Sequence, residues 1–479
     1  MCPFSSSPWR RTYSSKSSLS LLSRRSSGIN RSFFPLSSFV QRAVTLPLYP
    51  TITTPLGDRR RSFATQQEAK EKEDEEDAAA KGPLAGVKVL DLGRILAAPY
   101  CSMVLGDLGA EIWKVEVPGT GDDTRTWGPP FTAKGHESAY FISCNRNKKS
   151  IAVDLKKPQG LKIVHELAKH ADVLIENFAP GKADSLGVGY SALSTLNPRL
   201  IYLSLTGFGP DGPYKDRLAY DVMVSGFGGL MSITGPEEGA PVKTGVALTD
   251  ICAGLYAHGA IIAALYAREK SGKGQKIDVS LLESQVATLA NVASSYLIGG
   301  MEPKRMGTAH SSIVPYQAFA TANRGHILIG ALNDGQFQRL CEVIGRPELS
   351  SDEKFKTNPK RVQNRKELIA LLSDIIKTQT TSEWVTLLDS VKVPCGPINT
   401  IREVFQDPQV LHRDMLQKVE HPTAGTISVT GPPVKFSRTK AKIRSAPPVL
   451  GQHTDELLSS VLGYNQETIR RLRESGACA

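Results

Sequence analysis

The sequence lacks the short signatures of the common nucleotide enzymes. No G-x-G-x-x-G follows its first predicted strand, no G-x-x-x-x-G-K-[ST] occurs, and there is no G-x-S-x-G elbow. The glycines that let a backbone wrap a pyrophosphate, and the strained turn that lifts a serine nucleophile, are therefore missing. This weighs against an NAD dehydrogenase, a P-loop NTPase and a common α/β hydrolase. The seven cysteines, at 2, 101, 144, 252, 341, 395 and 478, never fall at C-x-x-C spacing, which weighs against a zinc site or a redox dithiol. An odd, dispersed set fits a reducing compartment. His165-Glu166 and His170 approach H-E-x-x-H with one residue too many. On a helix that spacing turns the second ring by about 140° from the first, so both read as surface residues and no metal ligand set is expected. Long apolar runs are also scarce. Ile251 to Ala267 is broken only by His258 and is followed at once by Arg268, Glu269 and Lys270. It falls short of the roughly 20 residues a bilayer needs and reads as a buried helix packed by small residues.

What is abundant is positive charge, and it is unevenly spread. Of the formal net charge of +11, residues 1–61 contribute +9, with ten basic residues, a single acidic one (Asp58) and fourteen serines. The remainder carries +2, so a nucleic-acid role resting on net charge falls away. An Arg-rich, Ser-rich, acid-poor N-terminus has the composition of an organellar transit peptide. The density of arginine favours the mitochondrial matrix over a plastid, and cleavage is expected near Arg61-Ser62-Phe63-Ala64. Gln66 to Lys81, QQEAKEKEDEEDAAAK, has almost nothing to bury and reads as a solvated linker. The expected organisation is transit peptide 1–64, linker 65–82, a large domain 83–300, a small domain 301–400, and a return to the large domain with a C-terminal tail over 401–479.

From Val87 short β-branched runs alternate with amphipathic stretches. Strands are expected at 87–93, 111–117, 149–155, 171–178 and 200–208, and again in IDVSLL. Helices are expected at 99–108 and, with a clear 3.6-residue period, at 158–171. Alternation of this kind predicts an α/β fold built on an open, parallel, Rossmann-like sheet. Ligands of such sheets bind beyond the carboxyl ends of the strands, here Asp91–Arg94, Glu116–Gly119, Asn177–Gly181 and Thr206–Gly212. After residue 300, HILIGALN, a helical stretch to residue 390 and VPCGPIN predict a smaller α+β unit. The Pro-rich SAPPVLGQHTDELL predicts an extended tail over a surface, ending in a short helix.

The segment GVALTDICAGLYAHGAIIAALYAREKSGKGQKIDVSLLES (245–284) places Asp250 at the start of a long apolar helix. Aspartate is a preferred N-cap. The same position faces the positive end of the helix dipole, which would keep the carboxylate ionised and ready to attack an acyl carbon. Composition and spacing leave both roles open.

Several segments, in order along the chain, carry a resemblance: GVKVLDLGRILAAPYCSMVLGDLGAEIWKVEVPGTGDDTR, NRNKKSIAVDLKKPQG, ADVLIENFAPG, TGFGPDGPY, GVALTDICAG, SGKGQKIDVSLLES and VPCGPIN. From about Leu84 to Leu458 the chain resembles the class III coenzyme A transferases. GDDTRTWGPPF, RMGTAHSSIVPYQAF and LGQHTDELL look most like members that act on dicarboxylic acids. The resemblance implies transfer of coenzyme A from succinyl-CoA to a free dicarboxylate such as glutarate or hydroxymethylglutarate. It implies that Asp250 is the nucleophile, through an aspartyl anhydride and thioester. No permanently bound cofactor is implied; CoA thioesters are substrates. Coenzyme A contacts carry over onto Ile95, Leu96 and Ala97, onto Lys156, and onto Asn177, Phe178 and Ala179. An interlocked homodimer is implied too, with no nucleic-acid or membrane partner.

Two positions depart from the family pattern. Val117 and Ser185 stand where basic residues are usual, so phosphate recognition is expected to lean on Lys114, Arg146, Lys148 or Lys149, each equally readable as a solvated surface charge. Dicarboxylates call for a cation on the distal carboxylate, and an arginine fork suits it best. Arg94 and Arg125 are the candidates, with a structural pair to Asp122 or Asp123 as the alternative for Arg125. The nearest rival is an α-methylacyl-CoA racemase, whose relative's GHD-type histidine is replaced here by Tyr220 in Leu218-Ala219-Tyr220-Asp221. A tyrosine with an ordinary pKa near 10 is a poor base at neutral pH, so Tyr220 is expected to contact substrate in a transfer reaction. A catalytically silent CoA-binding protein is a further rival, against which the intact Asp250 argues.

Overall fold

A computed structural model describes residues 81–479. The expected transit peptide, and all of the linker except Lys81 and Gly82, lie outside the described residues. Six strands form one parallel sheet: β1 (Lys88–Asp91), β2 (Glu111–Glu116), β3 (Lys148–Ala152), β4 (Val173–Glu176), β5 (Ile201–Thr206) and β6 (Lys276–Ser280). Their order is β3-β2-β1-β4-β5-β6. Each strand is shorter than its apolar run, because the residues beyond its carboxyl end leave the sheet for a loop or, after β6, directly for a helix at Leu281. Strand order reverses between β1 and β4, which opens a crevice at their carboxyl ends.

Successive strand residues point to opposite faces, and both faces are covered. Leu90, Trp113, Leu174 and Tyr202 pack on α2 (Pro158–His170) through Ile163, Val164 and Leu167. Val89, Ile112, Val173 and Leu203 pack on α1 (Ala97–Asp107) and on α4 (Leu248–Ser271). Between β5 and β6 the chain also forms α3 (Asp221–Phe227), and after β6 come α5 (Leu281–Thr288) and α6 (Ala290–Leu297). Helix α4 is long and apolar enough by composition to cross a membrane. Its buried face instead carries Ala253, Gly254, Ala257, Ile261 and Ala264, and at Gly254 a Cβ would meet Ala97 O at 2.7 Å. The expectation of a helix packed by small residues holds for that face alone; Leu255, Tyr256 and Tyr266 on the other are exposed.

A separate apolar cluster runs from Val314 to Val393, with Phe319, Phe337, Leu368 and Trp384 at its centre. It lies under a small antiparallel sheet of β7 (Tyr316–Ala320), β8 (His326–Gly330) and β9 (Cys395–Pro397). The Pro-rich C-terminal segment ends in the short helix expected, Thr454–Ser460, but it does not merely lie over a surface. Leu457, Leu458 and Ile469 belong to the core beside the large sheet. The chain end pairs along β3, with Ala479 N–H donating to Ala152 O at 3.1 Å and Asp154 N–H donating to Ala477 O at 3.0 Å.

Candidate active site

The crevice between β1 and β4 is built from two loops tied to each other. Arg94 N–H donates to Asn177 Oδ1 at 2.9 Å, and Asn177 Nδ2 donates back to Arg94 O at 2.8 Å. Beneath the first loop lies a set of buried ion pairs. Lys114 Nζ donates to Gly93 O at 2.8 Å and to Asp122 Oδ2 at 2.9 Å. Asp122 in turn accepts Ile95 N–H on both oxygens at 3.2 Å. Asp91 accepts Gly93 N–H at 2.8 Å and faces Lys148 Nζ at 3.2 Å. This scaffold holds Ile95 at φ +71°, a left-handed conformation that costs a β-branched residue about 1–3 kcal/mol. The strain sits where two cavities meet.

The first cavity, about 360 Å³, is lined by Arg94, Ile95, Leu96, Ala97, Asn177, Phe178, Ala179, Tyr220 and Asp250, with Lys215 and Arg217 on its wall. The second, about 350 Å³, shares Ile95, Tyr220 and Asp250 with the first and adds Trp127, Tyr140, Asp221 and Lys243. Nearly every residue carried over from the family pattern thus converges on Asp250. Lys156 does not: it is exposed in the turn after β3, its N–H on Asp154 Oδ1, and lines neither cavity.

Asp250 is not an N-cap. Ala247 occupies that position, and Asp250 lies in the first turn of α4. The cap is supplied from another element: Asp221, at the start of α3, accepts Asp250 N–H on Oδ1 at 3.1 Å. The Asp250 carboxylate accepts no hydrogen bond from any described residue. Nor does the helix end keep it ionised, as the sequence suggested. Burial first, and the charge of Asp221 second, push its pKa up to about 7. Tyr140, whose ring meets Trp127 edge-on at 5.1 Å, is pushed up to about 12, by burial and then by Asp250.

Most of the cations singled out from the sequence are already spent. Arg125 makes a two-pronged pair with Glu116 at 2.7 Å and lies 3.7 Å over the Phe141 ring. It is structural, and its partner is neither Asp122 nor Asp123. Arg146 is buried against Asp107, and Lys149 binds Glu111 and Glu456. Lys114 and Lys148 are fully buried under the loop. Lys114, Arg146 and Lys148 are therefore buried structural charges rather than solvated ones, while Lys149 is a partly exposed surface charge held by two glutamates. Arg94 does line the first cavity; its guanidinium pairs with Asp123 and leaves a buried Nε without a partner. Lys215, Arg217, Lys243, Trp127, Tyr140 and Asp221 were not picked out for the site by sequence reasoning. For Lys215 and Arg217 a signal existed, since the Gly-rich loop after β5 runs into Tyr214-Lys215-Asp216-Arg217. Among the described residues no group of three His, Cys, Asp or Glu has the arrangement of a metal site.

The description of CoA-transferase family III matches residues 84–454. The chain is 53% identical over 394 residues to the human succinyl-CoA:glutarate CoA-transferase, covering 82% of this chain and 89% of that protein. It is 42% identical over 395 residues to the succinate–glutarate CoA-transferase of Agrobacterium fabrum, covering 82% and 97%. The crystal structure of a CAIB/BAIF family protein from Brucella suis superposes with a TM-score of 0.73 at 44% identity, covering 80% of this chain and 100% of that one. The chain therefore belongs to CoA-transferase family III.

Proposed function

We propose that the enzyme moves coenzyme A from succinyl-CoA to a free dicarboxylate, glutarate foremost and hydroxymethylglutarate as a second acceptor, with Asp250 as the covalent relay. This is the reaction of a succinate–hydroxymethylglutarate CoA-transferase. One observation carries the reading: the Asp250 carboxylate, without a hydrogen-bond donor, stands where two cavities join. The names of the human and Agrobacterium relatives support the choice of substrates.

The chemistry balances without a further reagent. An Asp250 oxygen attacks the thioester carbon of succinyl-CoA; the C–S bond breaks and CoA leaves as thiolate. The thiolate attacks the Asp250 carbonyl carbon of the resulting anhydride, succinate departs, and an aspartyl-CoA thioester remains. The acceptor carboxylate attacks that thioester and expels the thiolate. The thiolate then attacks the acceptor's acyl carbon, which yields the new acyl-CoA and restores the Asp250 carboxylate. One thioester is lost and one is made, with no net proton, so coenzyme A thioesters serve as substrates and no resident cofactor is required. In this reading CoA occupies the first cavity, over Ile95–Ala97 and Asn177–Ala179, with Arg94, Lys215 and Arg217 as its cations. No histidine lines either cavity, which disfavours racemisation, since that reaction needs a second base across the α-carbon.

Two further parts of the reading concern assembly and place. The exposed apolar residues Leu297, Ile298 and Met301 at the end of α6 and just beyond it, with Tyr256 and Tyr266 on α4, support a homodimer, interlocked as the family resemblance implies. The composition of residues 1–61 supports import into the mitochondrial matrix.

The covalent step is tested by incubating the enzyme with succinyl-CoA, quenching with hydroxylamine or borohydride, and mapping the adduct by mass spectrometry. Modification at Asp250 is expected, along with a loss of turnover in Asp250→Ala of several orders of magnitude. An adduct on another residue, or full activity in that variant, would refute the assignment.

A further inference from the structure

We propose that Lys243 is the cation that holds the distal carboxylate of the acyl chain, in the second cavity beside Asp250. The proposal rests on the dicarboxylate reading above and names the residue that would enforce it.

A dicarboxylate that reaches Asp250 brings a second negative charge into a site that already holds Asp221. That charge needs a partner. Arg125 is locked to Glu116 beneath the loop, and Arg94 faces the first cavity only, its guanidinium on Asp123. Lys243 is the one basic residue among those lining the second cavity. It is exposed, and its Nζ contacts only the neighbouring Thr244 O, at 3.3 Å. Among the described residues no carboxylate pairs with it. The groups around it complete a receptor for a short acid chain. Trp127 and Tyr140 offer apolar faces, and Val246 and Ala247 add apolar lining to the same cavity. With the reacting carboxylate at Asp250, the far one would be met by Lys243, which lines the same cavity. Asp221 stands on the same wall, occupied by Asp250 N–H. Its negative charge would repel a dianion unless a cation compensates. Once Asp250 carries coenzyme A as a thioester it is uncharged, so only Asp221 opposes the entering acceptor and a single lysine is enough.

Donor and acceptor acyl chains visit Asp250 in turn, so the same lysine serves both. The experiment uses steady-state kinetics of the full enzyme with glutarate, valerate and 5-aminovalerate as acceptors of matched length. In Lys243→Met, KM for glutarate is expected to rise about 10- to 100-fold, the usual loss of a hydrogen bond to a charged group. KM for succinyl-CoA rises with it, and the constants for valerate stay near wild type. Lys243→Arg restores glutarate. Lys243→Glu shifts preference toward 5-aminovalerate, whose distal group is cationic, an outcome that a merely structural lysine would not give. If the wild type favours glutarate over valerate and Lys243→Met keeps the same preference, the assignment of Lys243 is overturned while the dicarboxylate reading stands. If the wild type itself shows no preference for glutarate over valerate, the dicarboxylate reading fails, and this inference with it.

Discussion

If Asp250 is the nucleophile it must be ionised to act, in surroundings that favour its neutral form. With burial and Asp221 pushing its pKa up to about 7, kcat/KM should rise with pH through that value. Asp221→Asn keeps an oxygen for Asp250 N–H and removes the charge, so the midpoint should move to lower pH by roughly one unit; a pH–rate profile of the variant measures it. An unmoved midpoint would mean that burial alone sets the shift. The same perturbation has a stability consequence. A carboxyl whose folded pKa lies above its unfolded value stabilises the fold only while protonated, and that contribution is lost as pH rises through the folded pKa. Asp250→Asn should therefore match the wild type in Tm below about pH 4, gain on it as pH rises, and hold a constant advantage above about 7. Thermal scans at pH 4, 6 and 8 would show this. Stability given up at one residue is a common mark of a functional site.

At the scale of elements, the nucleophile and the coenzyme loop depend on a single helix contact. Helix α4 carries Asp250 in its first turn, and α1 begins at Ala97, directly after Ile95 and Leu96. They touch at Gly254, where any Cβ would press on Ala97 O and, at 3.3 Å, on Tyr100 Cδ1. Gly254→Ala should cost about 1–3 kcal/mol by overpacking. Because the strain falls on both halves of the site, kcat/KM should drop more than the loss of folded protein explains. Chemical denaturation together with kinetics on the folded fraction separates the two effects, and a variant that loses stability alone would limit the contact to packing. The strands, and the crevice at their ends, were legible in the sequence because their apolar runs are local. The fate of the cations was not. Lys148 meets Asp91 across 57 positions and Arg146 meets Asp107 across 39, pairings that exist only once β1, β2 and β3 lie in register. A lysine in a strand reads the same whether it faces solvent or a buried carboxylate. The cap of α4 was hidden for the same reason: it comes from Asp221, 29 residues earlier, on an element whose position depends on the fold.

At the scale of the whole molecule, several large apolar side chains are exposed at the end of α6 and just beyond it. Leu297, the last residue of α6, is 78% exposed, and Ile298 and Met301 just beyond it are 87% and 67% exposed. Tyr256 and Tyr266 lie on the outer face of the same α4 that begins at the active site. Large exposed apolar side chains can mark an interface, and a symmetric homodimer is the commonest way to cover one. If the dimer forms through this region, Ile298→Asp together with Leu297→Asp should convert it to monomer in sedimentation velocity. In such a dimer α4 would present one face to the partner and the other to the sheet, so loss of the partner should also loosen the first turn that holds Asp250. Turnover should then fall with the dimer fraction and recover as protein concentration is raised. A variant that stays dimeric would place the interface elsewhere. A fully active monomer would separate assembly from catalysis and leave the outer face of α4 without a role at the site.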